Sequence, residues 1–444
     1  MLTLRALKAI YDRRRNGRLS REQLAAKRLA RFRKLAAFVR ERSPFYAEVI
    51  GERGIQVTGC RPGDFPVLRK DDLIERFDDI VTVPEVRKAG LADFLARSTD
   101  PNDLYRRRYH VLHSSGTSGQ VCYAVFSRGE WIRGTSHFEK IVRLGLRKRL
   151  AFVGATGGHF AGVSLALSAN RGASRLSYHT RAFDITRPTL EIVAGLNAFR
   201  PRVLIGYTGA LRILGELQQR GELRIAPRVV VSSGEALGPG DRRALWEAFG
   251  AGVANLYAST EFLTMATPLP HRKGTYLAED DLVFELHDDH TCVTSLFQRT
   301  MPLIRYRMED VLVPDPETQD PQVPYLKVRD VVGRREDAPV FTNRDGRDEF
   351  IHPIVLAELY IPGLAAFQFG IHDKTSFTMR AQLERGLDDT GARDVLERTR
   401  RWLEDLLARK KMGNVRFAIE PVRSLGVDAH SGKFRLIVHE RAPA

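Results

Sequence analysis

Val203-Leu-Ile-Gly206-Tyr-Thr-Gly209, followed by Val229-Val-Val-Ser-Ser233-Gly-Glu-Ala-Leu-Gly238, decides the fold. Each is a short apolar, β-branched run that ends in a glycine-bearing turn. Each then passes into a helical pattern, Ala210 to Arg220 after the first and from Asp241 after the second. Apolar runs of this length between glycine turns read as buried strands. Strands alternating with helices predict an α/β sheet that carries its ligand on the loops at the carboxyl ends of its strands. Upstream, Leu150 to Asn170 contains no Asp, Glu, Lys or Arg. Gly154, Gly157, Gly158 and His159 break it into a strand, a glycine turn and a helix start, which argues against a membrane span.

Outward from this centre the pattern changes. Residues 45 to 110 mix short helical patterns with turns and read as a peripheral subdomain. Tyr276-Leu277, Leu282 to Leu286, Cys292 to Leu296, Val311 to Val313 and Tyr325 to Val328 read as a β-rich subdomain. Beyond Gly333 a separate small α+β unit is expected, with strands near Ala366 to Ile371, Ser376 to Gln382 and Val415 to Glu420, and a helix from Thr390 to Lys411. Asp388-Asp389 and Arg409-Lys410-Lys411 suit the two ends of that helix's dipole. The division is 1–332 for a large α/β domain, with a basic helical arm at 1–50 and the β-rich part at 276–332. Residues 333–444 form the small domain.

A chain of 444 residues fits two to three domains. Apolar content of 43% and charged content of 28% are those of a soluble globular protein. Net charge is +16, from 70 basic minus 54 acidic residues, and residues 1 to 50 hold 14 Lys/Arg against 4 Asp/Glu. Such an arm suits nucleic acid, an anionic membrane surface or an acidic protein. Its capping box, Ser20 with Gln23, and the spacing of Ala25, Leu29, Phe32, Ala36 and Val39 instead predict a helix packed on the body. Arg5 and Lys8 interrupt the first residues, so no secretory signal is expected and the location is cytoplasmic. Cys60, Cys122 and Cys292 form no CxxC pair, which implies a reducing compartment and no zinc.

Several segments carry candidate chemistry. His113-Ser114-Ser115-Gly116-Thr117-Ser118-Gly119-Gln120 is either a flexible turn or a loop that wraps phosphate with backbone N–H groups and hydroxyls. Tyr257-Ala-Ser-Thr260-Glu261 follows a strand-like run, and its carboxylate either holds Mg²⁺ or caps a helix. Pro302-Leu-Ile-Arg305-Tyr306-Arg307-Met-Glu-Asp310 offers Asp to a ribose and Arg to a phosphate, or is a salt-bridge cluster. Gly333-Arg334-Arg335-Glu336-Asp337 and Ser431-Gly432-Lys433 read singly as a linker and a solvent-facing lysine.

Their order carries more than each alone. Together these segments resemble the adenylate-forming superfamily, with its acyl-CoA synthetases, peptide adenylation domains and firefly luciferase, and most of all its phenylacetate-CoA ligase branch. Ser114 to Gly119 is similar to that branch's Ser-Ser-Gly-Thr-Thr-Gly loop, and Ser233 to Ala236 to its adenine-edge loop. Tyr257 to Glu261, Pro302 to Asp310, Gly333 to Asp337 and Gly432-Lys433 match its remaining elements in sequence order.

The resemblance implies roles for these residues. Ser115, Gly116, Thr117, Ser118 and Gly119 would bind the phosphates of ATP, and Gly234, Glu235, Ala236 and Tyr257 the adenine. Thr260 would touch the α-phosphate with Glu261 on Mg²⁺. Asp310 would clamp the ribose, Arg334 would contact ribose or phosphate, and Glu336 would form the hinge of a small mobile domain. Lys433 would lie between the substrate carboxylate and the α-phosphate. His159, Phe160, Gly206, Tyr207 and Phe262 are expected around the acyl group, an aryl or medium acyl acid. The implied reaction makes an acyl-adenylate, releases pyrophosphate and passes the acyl group to a thiol, coenzyme A ahead of an acyl carrier protein, with an amine third. A catalytically silent adenylate-binding scaffold is the alternative from another class. Gln120, Met308-Glu309 and Glu336 depart from the branch's pattern. Pro268 to Arg272 lacks the cysteines that give some members a metal site, which again predicts no zinc.

Overall fold

Side chains alternate across each strand at the centre of the molecule, and that alternation builds two cores. In this computed structural model, Ala151, Val153, Leu204 and Val230 face one side of the central sheet. They pack under the helices Thr189–Phe199, Thr208–Gln219 and Pro239–Phe249. Leu150, Phe152, Ile205, Val231 and Leu256 face the other side and meet Val163 and Ala166 of the helix Ala161–Ser168. The structure describes residues 2–115, 121–142, 146–171, 174–332, 338–357, 359, 361–425 and 435–440.

The central sheet has nine strands. Tyr178–Asp184, Lys148–Gly154, Val203–Gly206, Val229–Ser233 and Gly252–Ser259 lie side by side and parallel. Leu263–Thr267, Thr275–Leu277, Lys327–Val332 and Val311–Pro314 continue it antiparallel. The expected strands between 276 and 330 are therefore present, but most of them extend the main sheet. Leu282–Leu286, Thr291–Ser295 and Tyr306–Met308 alone form a separate three-stranded sheet.

The basic arm comprises the helices Leu2–Asn16 and Arg21–Arg42, the second opened by the expected Ser20/Gln23 capping box. Leu24, Phe32, Leu35, Ala36 and Val39 are buried, so the arm packs on the body as its apolar spacing requires. Its charge is used there too. Arg28 pairs with Glu279, and Arg31 and Arg13 pair with Asp281 at 3.2 and 3.6 Å. No segment among the described residues is a helix long and apolar enough to cross a membrane.

In the C-terminal part, the strands Leu364–Asp373 and Ser376–Leu383 form a hairpin flanked by Arg416–Val422 and Ile437–His439, under the helix Asp389–Arg409. Asp388 caps that helix through the Gly391 N–H, as its sequence predicts. This unit shares a core with Ile185 and Tyr207, which follow strands of the main sheet, and with Ala210 of the helix Thr208–Gln219. Buried Lys410 donates to the Ile185 and Arg187 carbonyls at 3.1 and 3.0 Å and pairs with Glu349 at 3.2 Å.

Candidate active site

The parallel strands end together, and their carboxyl-end loops bring separate sequence motifs to one rim. Gly206 must be small: a Cβ there would come within 3.0 Å of the Val153 carbonyl on the neighbouring strand. Gly234 adopts φ +81, a left-handed conformation open to glycine at little cost. The turn it makes presents Glu235, whose Oε2 accepts from the Gly209 N–H at 2.7 Å. His352, from the C-terminal part, reaches the same carboxylate at 3.1 Å and lies tilted against Tyr207 with ring centroids 4.5 Å apart. The loop expected to border adenine is thus also a contact with the C-terminal unit. His352 had no sequence signal beyond being a lone histidine.

Tyr257 sits at the next strand end, and its Oη donates to Asp310 Oδ2 at 2.8 Å. Burial, then the Asp310 carboxylate, raises the Tyr257 hydroxyl well above its ordinary range, so it stays a donor at all working pH values. Asp310 lies between the strands Tyr306–Met308 and Val311–Pro314. Two motifs far apart in sequence are thereby joined by one hydrogen bond. The arginines of the second motif do something else. Arg305 Nη2 pairs with Glu285 at 2.9 Å and its Nη1 donates to the Phe65 carbonyl at 2.7 Å, while Arg307 pairs with Glu309 at 3.1 Å. For these two residues the salt-bridge reading holds.

Thr260 and Glu261 occupy the turn between the antiparallel strands Gly252–Ser259 and Leu263–Thr267. No helix begins there, so the helix-cap alternative fails. Burial raises the Glu261 carboxyl, against hydrogen bonds from Ser259 and Tyr306 and the pull of Lys70. Tyr306 Oη lies 3.4 Å from Glu261 Oε1, and Gln298 Nε2 holds the Glu261 carbonyl at 2.6 Å. Leu263, two residues on, has φ +61, and Arg305 has φ +51. Such conformations cost on the order of 1–3 kcal/mol and collect where a turn is dictated by function.

A chamber of about 220 Å³ opens below this rim, on the Ala161–Ser168 side of the sheet. Its walls include Phe152, Gly162, Ile205, Ser233, Leu256 and Thr264. Ser233 precedes the Gly234 turn and Leu256 precedes Tyr257, so the chamber begins where the nucleotide motifs end. The residues expected around the acyl group lie elsewhere. Phe262 is buried against Tyr306, with ring centroids 5.9 Å apart. His159 is buried, its Nε2 3.1 Å from Ser98 Oγ and its ring 5.1 Å edge-on to Phe94. Phe160 rests on His113 at 4.7 Å. Gly206 and Tyr207 sit on the rim above Ile205. Gly206 follows Ile205 on its strand and so faces the opposite side, while His159, Phe160 and Phe262 lie in loops and turns outside the chamber lining. Ala6 and Ile10 of the first helix also line it, a contribution that nothing in the sequence announced.

Among the remaining expected residues, Ser115 ends the strand Tyr109–Ser115, paired in register with Val121 of Val121–Ser127. Gly116, Thr117, Ser118, Gly119, Arg334, Glu336 and Lys433 lie outside the described residues. Burial raises the Cys122 thiol to about 12 and lifts Cys60 and Cys292 as well, so none is primed as a nucleophile.

No protein-family model matches the chain. It is 24% identical over 328 residues to protein CapK of Staphylococcus aureus, which covers 69% of this chain and 67% of that one. It is 23% identical over 349 residues to the phenylacetate-coenzyme A ligase of Thermus thermophilus, covering 72% of each. Among solved structures, 2-hydroxyisobutyryl-CoA ligase in complex with 2-HIB-AMP and CoA in the thioesterification state superposes with a TM-score of 0.62. That match has 20% identity and spans 96% of this chain and 92% of the other. The open conformation of the same ligase gives a TM-score of 0.60 with 20% identity. These structural likenesses establish the fold.

Proposed function

We propose that this chain, which belongs to the adenylate-forming superfamily in its phenylacetate-CoA ligase-like branch, uses ATP to activate a carboxylic acid and transfers the acyl group to coenzyme A. The observation that carries this reading is the Tyr257–Asp310 hydrogen bond, on a strand of the parallel sheet whose preceding residue, Leu256, lines the apolar chamber. Two strand ends, one acidic acceptor and an apolar recess are what an acyl-adenylate requires: a flat base edge, a ribose, and a place for the acyl group.

Each residue's part follows from its chemistry. Tyr257 and the Gly234–Ala236 backbone border the base. Asp310, whose Oδ2 accepts from Tyr257, would offer its carboxylate to the ribose hydroxyls. Glu261 fits a Mg²⁺ site, being a half-buried carboxylate whose charge calls for a partner cation. When bound, Mg²⁺ supplies charge stabilisation to the phosphate oxygens. Thr260 beside it offers a hydroxyl to the α-phosphate, and Lys433 would neutralise charge developing between the carboxylate and that phosphate. Little acid–base work is needed, because the substrate carboxylate is already ionised.

The chamber lies below the range of about 300–1,000 Å³ usual for drug-sized ligands, which favours a compact aryl or medium acyl group. Pyrophosphate exchange over a panel of such acids tests the adenylation step, and no exchange with any of them would end this reading. Adding coenzyme A, a carrier protein or an amine, and following AMP release with the acyl product, tests the acceptor. Stimulation by the amine alone would reverse the order of acceptors while leaving adenylation standing.

Asp310→Ala is expected to weaken ATP binding by about 1.5–3 kcal/mol, the loss of a charge-assisted contact. Tyr257→Phe should weaken it less, because the Asp310 carboxylate that would hold the ribose is retained. Calorimetry with equal affinity for wild type and Asp310→Ala would return this motif to a structural role.

A further inference from the structure

The hairpin of Leu282–Leu286 and Thr291–Ser295 gathers side chains the proposed reaction does not use. Its register pairs Glu285 with Cys292, and the turn closes with the His287 N–H donating to the His290 carbonyl at 3.0 Å. Alternation along each strand therefore puts His287, His290 and Cys292 on one face of the small sheet. Their ligand atoms all lie within 4.8 Å of one another. A second observation concerns orientation. His290 Nδ1 is 2.6 Å from Asp289 Oδ1, and Asp289 Oδ2 is 3.5 Å from Arg307 Nη2. A carboxylate on one ring nitrogen fixes the tautomer and leaves the other nitrogen as a lone-pair donor, the usual support of a metal-binding histidine.

We propose that His287, His290 and Cys292 form a binding site for a borderline-soft divalent cation of the zinc class. Two imidazoles and a thiolate are a zinc donor set, with water completing a tetrahedron. Bonds of about 2.0–2.3 Å put ligand atoms roughly 3.5 Å apart, so the three groups need to close by only about 1 Å. His287 is exposed on the turn, its ring stacked on His290 at 4.3 Å, so the closing falls mainly to the His287 side chain while Asp289 holds His290. Hard cations such as Mg²⁺ and Ca²⁺ are disfavoured by the nitrogen and sulfur donors. Arg307, the nearby cation, is already neutralised by Glu309 at 3.1 Å and by Asp289, and Glu285 is engaged by Arg305.

The site has a structural consequence. Cys292 pairs in register with Arg307 of the strand Tyr306–Met308, which leads directly to Asp310. A cation here would brace the hairpin on which that strand pairs. The absence of a cysteine-rich segment at Pro268 to Arg272 does not bear on this cluster, which lies in a different hairpin.

The experiment uses the full chain, stripped with chelator and titrated with zinc alone, with cobalt as the spectroscopic stand-in. Wild type is expected to take up about one zinc per chain, to gain thermal stability on loading, and to give a cobalt spectrum with a thiolate charge-transfer band. His287→Ala and His290→Ala, at the turn, are expected to lower zinc affinity by roughly tenfold or more, and Asp289→Ala by about tenfold. Metal-free unfolding midpoints should be unchanged in these three, which separates ligand loss from misfolding. Cys292→Ser should abolish the charge-transfer band. Equal zinc affinity in a His287→Ala/His290→Ala double variant, or a cobalt complex with no thiolate band, would overturn the proposal.

Discussion

Asp281→Ala is expected to cost about 3–5 kcal/mol of folding stability, the loss typical of removing one partner from a buried ionic cluster. Asp281 is only 1% exposed and is approached by Arg133 at 2.6 Å, Arg31 at 3.2 Å, His137 at 3.1 Å and Arg13 at 3.6 Å. Burial by itself would raise its carboxyl. Arg133, His137, Arg31 and Arg13 outweigh burial and hold it well below the usual carboxylate range. Alanine would leave Arg133, Arg31 and Arg13 facing one another without the charge that pays for their desolvation. The neighbouring acids cannot replace it: Glu279 already pairs with Arg28, and Asp280 accepts from Asn16 at 2.7 Å and Tyr325 at 3.0 Å.

The pH dependence follows with a definite sign. A carboxyl depressed in the folded chain contributes stability that is present above its unfolded value and lost as pH falls through its folded one. His137 adds in the same direction. Burial and Arg13 push its imidazole well below its ordinary range, so the unfolded chain takes up a proton first as pH drops below about 6.5. Denaturation profiles of wild type should therefore lose stability in acid, and Asp281→Ala should flatten the lower part of that loss. An unfolding midpoint in Asp281→Ala equal to wild type at neutral pH would show that the cluster does not anchor the arm.

This cluster also marks where sequence reading stops. The Ser20 capping box and the apolar spacing from Ala25 to Val39 announce a helix packed on the body, because helical periodicity is local. What its arginines meet is not local: Asp281 is 250 residues from Arg31. A surplus of charge in the first 50 residues therefore looks like an unfilled binding surface until the fold brings Glu279, Asp280 and Asp281 beneath it. The strand–glycine–helix rhythm from Val203 to Phe249 is legible for the same reason that the arm helix is. Tyr257 and Asp310 are individually visible, but their hydrogen bond is a property of the sheet. The acyl wall shows the finest limit. His159, Phe160, Gly206, Tyr207 and Phe262 are expected around the acyl group, yet the residues lining the chamber include Phe152, Gly162, Ile205 and Thr264, since the pleat and the turn decide which neighbour points inward.

Glu261→Gln is expected to reduce pyrophosphate exchange by about 10²–10³, or roughly 2.7–4 kcal/mol of transition-state stabilisation, and to do so without loss of stability. The two halves of this expectation share one cause. Burial raises the Glu261 carboxyl above the ordinary glutamate value. Between the unfolded value and that higher folded one, the folded chain keeps the proton and the unfolded chain releases it. Stability therefore falls as pH rises through this window, and ionised Glu261 costs stability at neutral pH. Glutamine removes the cost while preserving shape and an acceptor for the Tyr306 hydroxyl at 3.4 Å. Its unfolding midpoint should match or exceed that of wild type at neutral pH, and approach it in acid where Glu261 is protonated anyway. Function runs the other way. A neutral amide cannot balance a divalent cation, so the Mg²⁺ concentration needed for half-maximal exchange should rise along with the drop in rate. Wild-type exchange should also fade on acidification at a higher pH than an ordinary glutamate would give. A residue kept only for packing would show the opposite pairing, with stability lost and exchange intact, and that result would remove Glu261 from the proposed site.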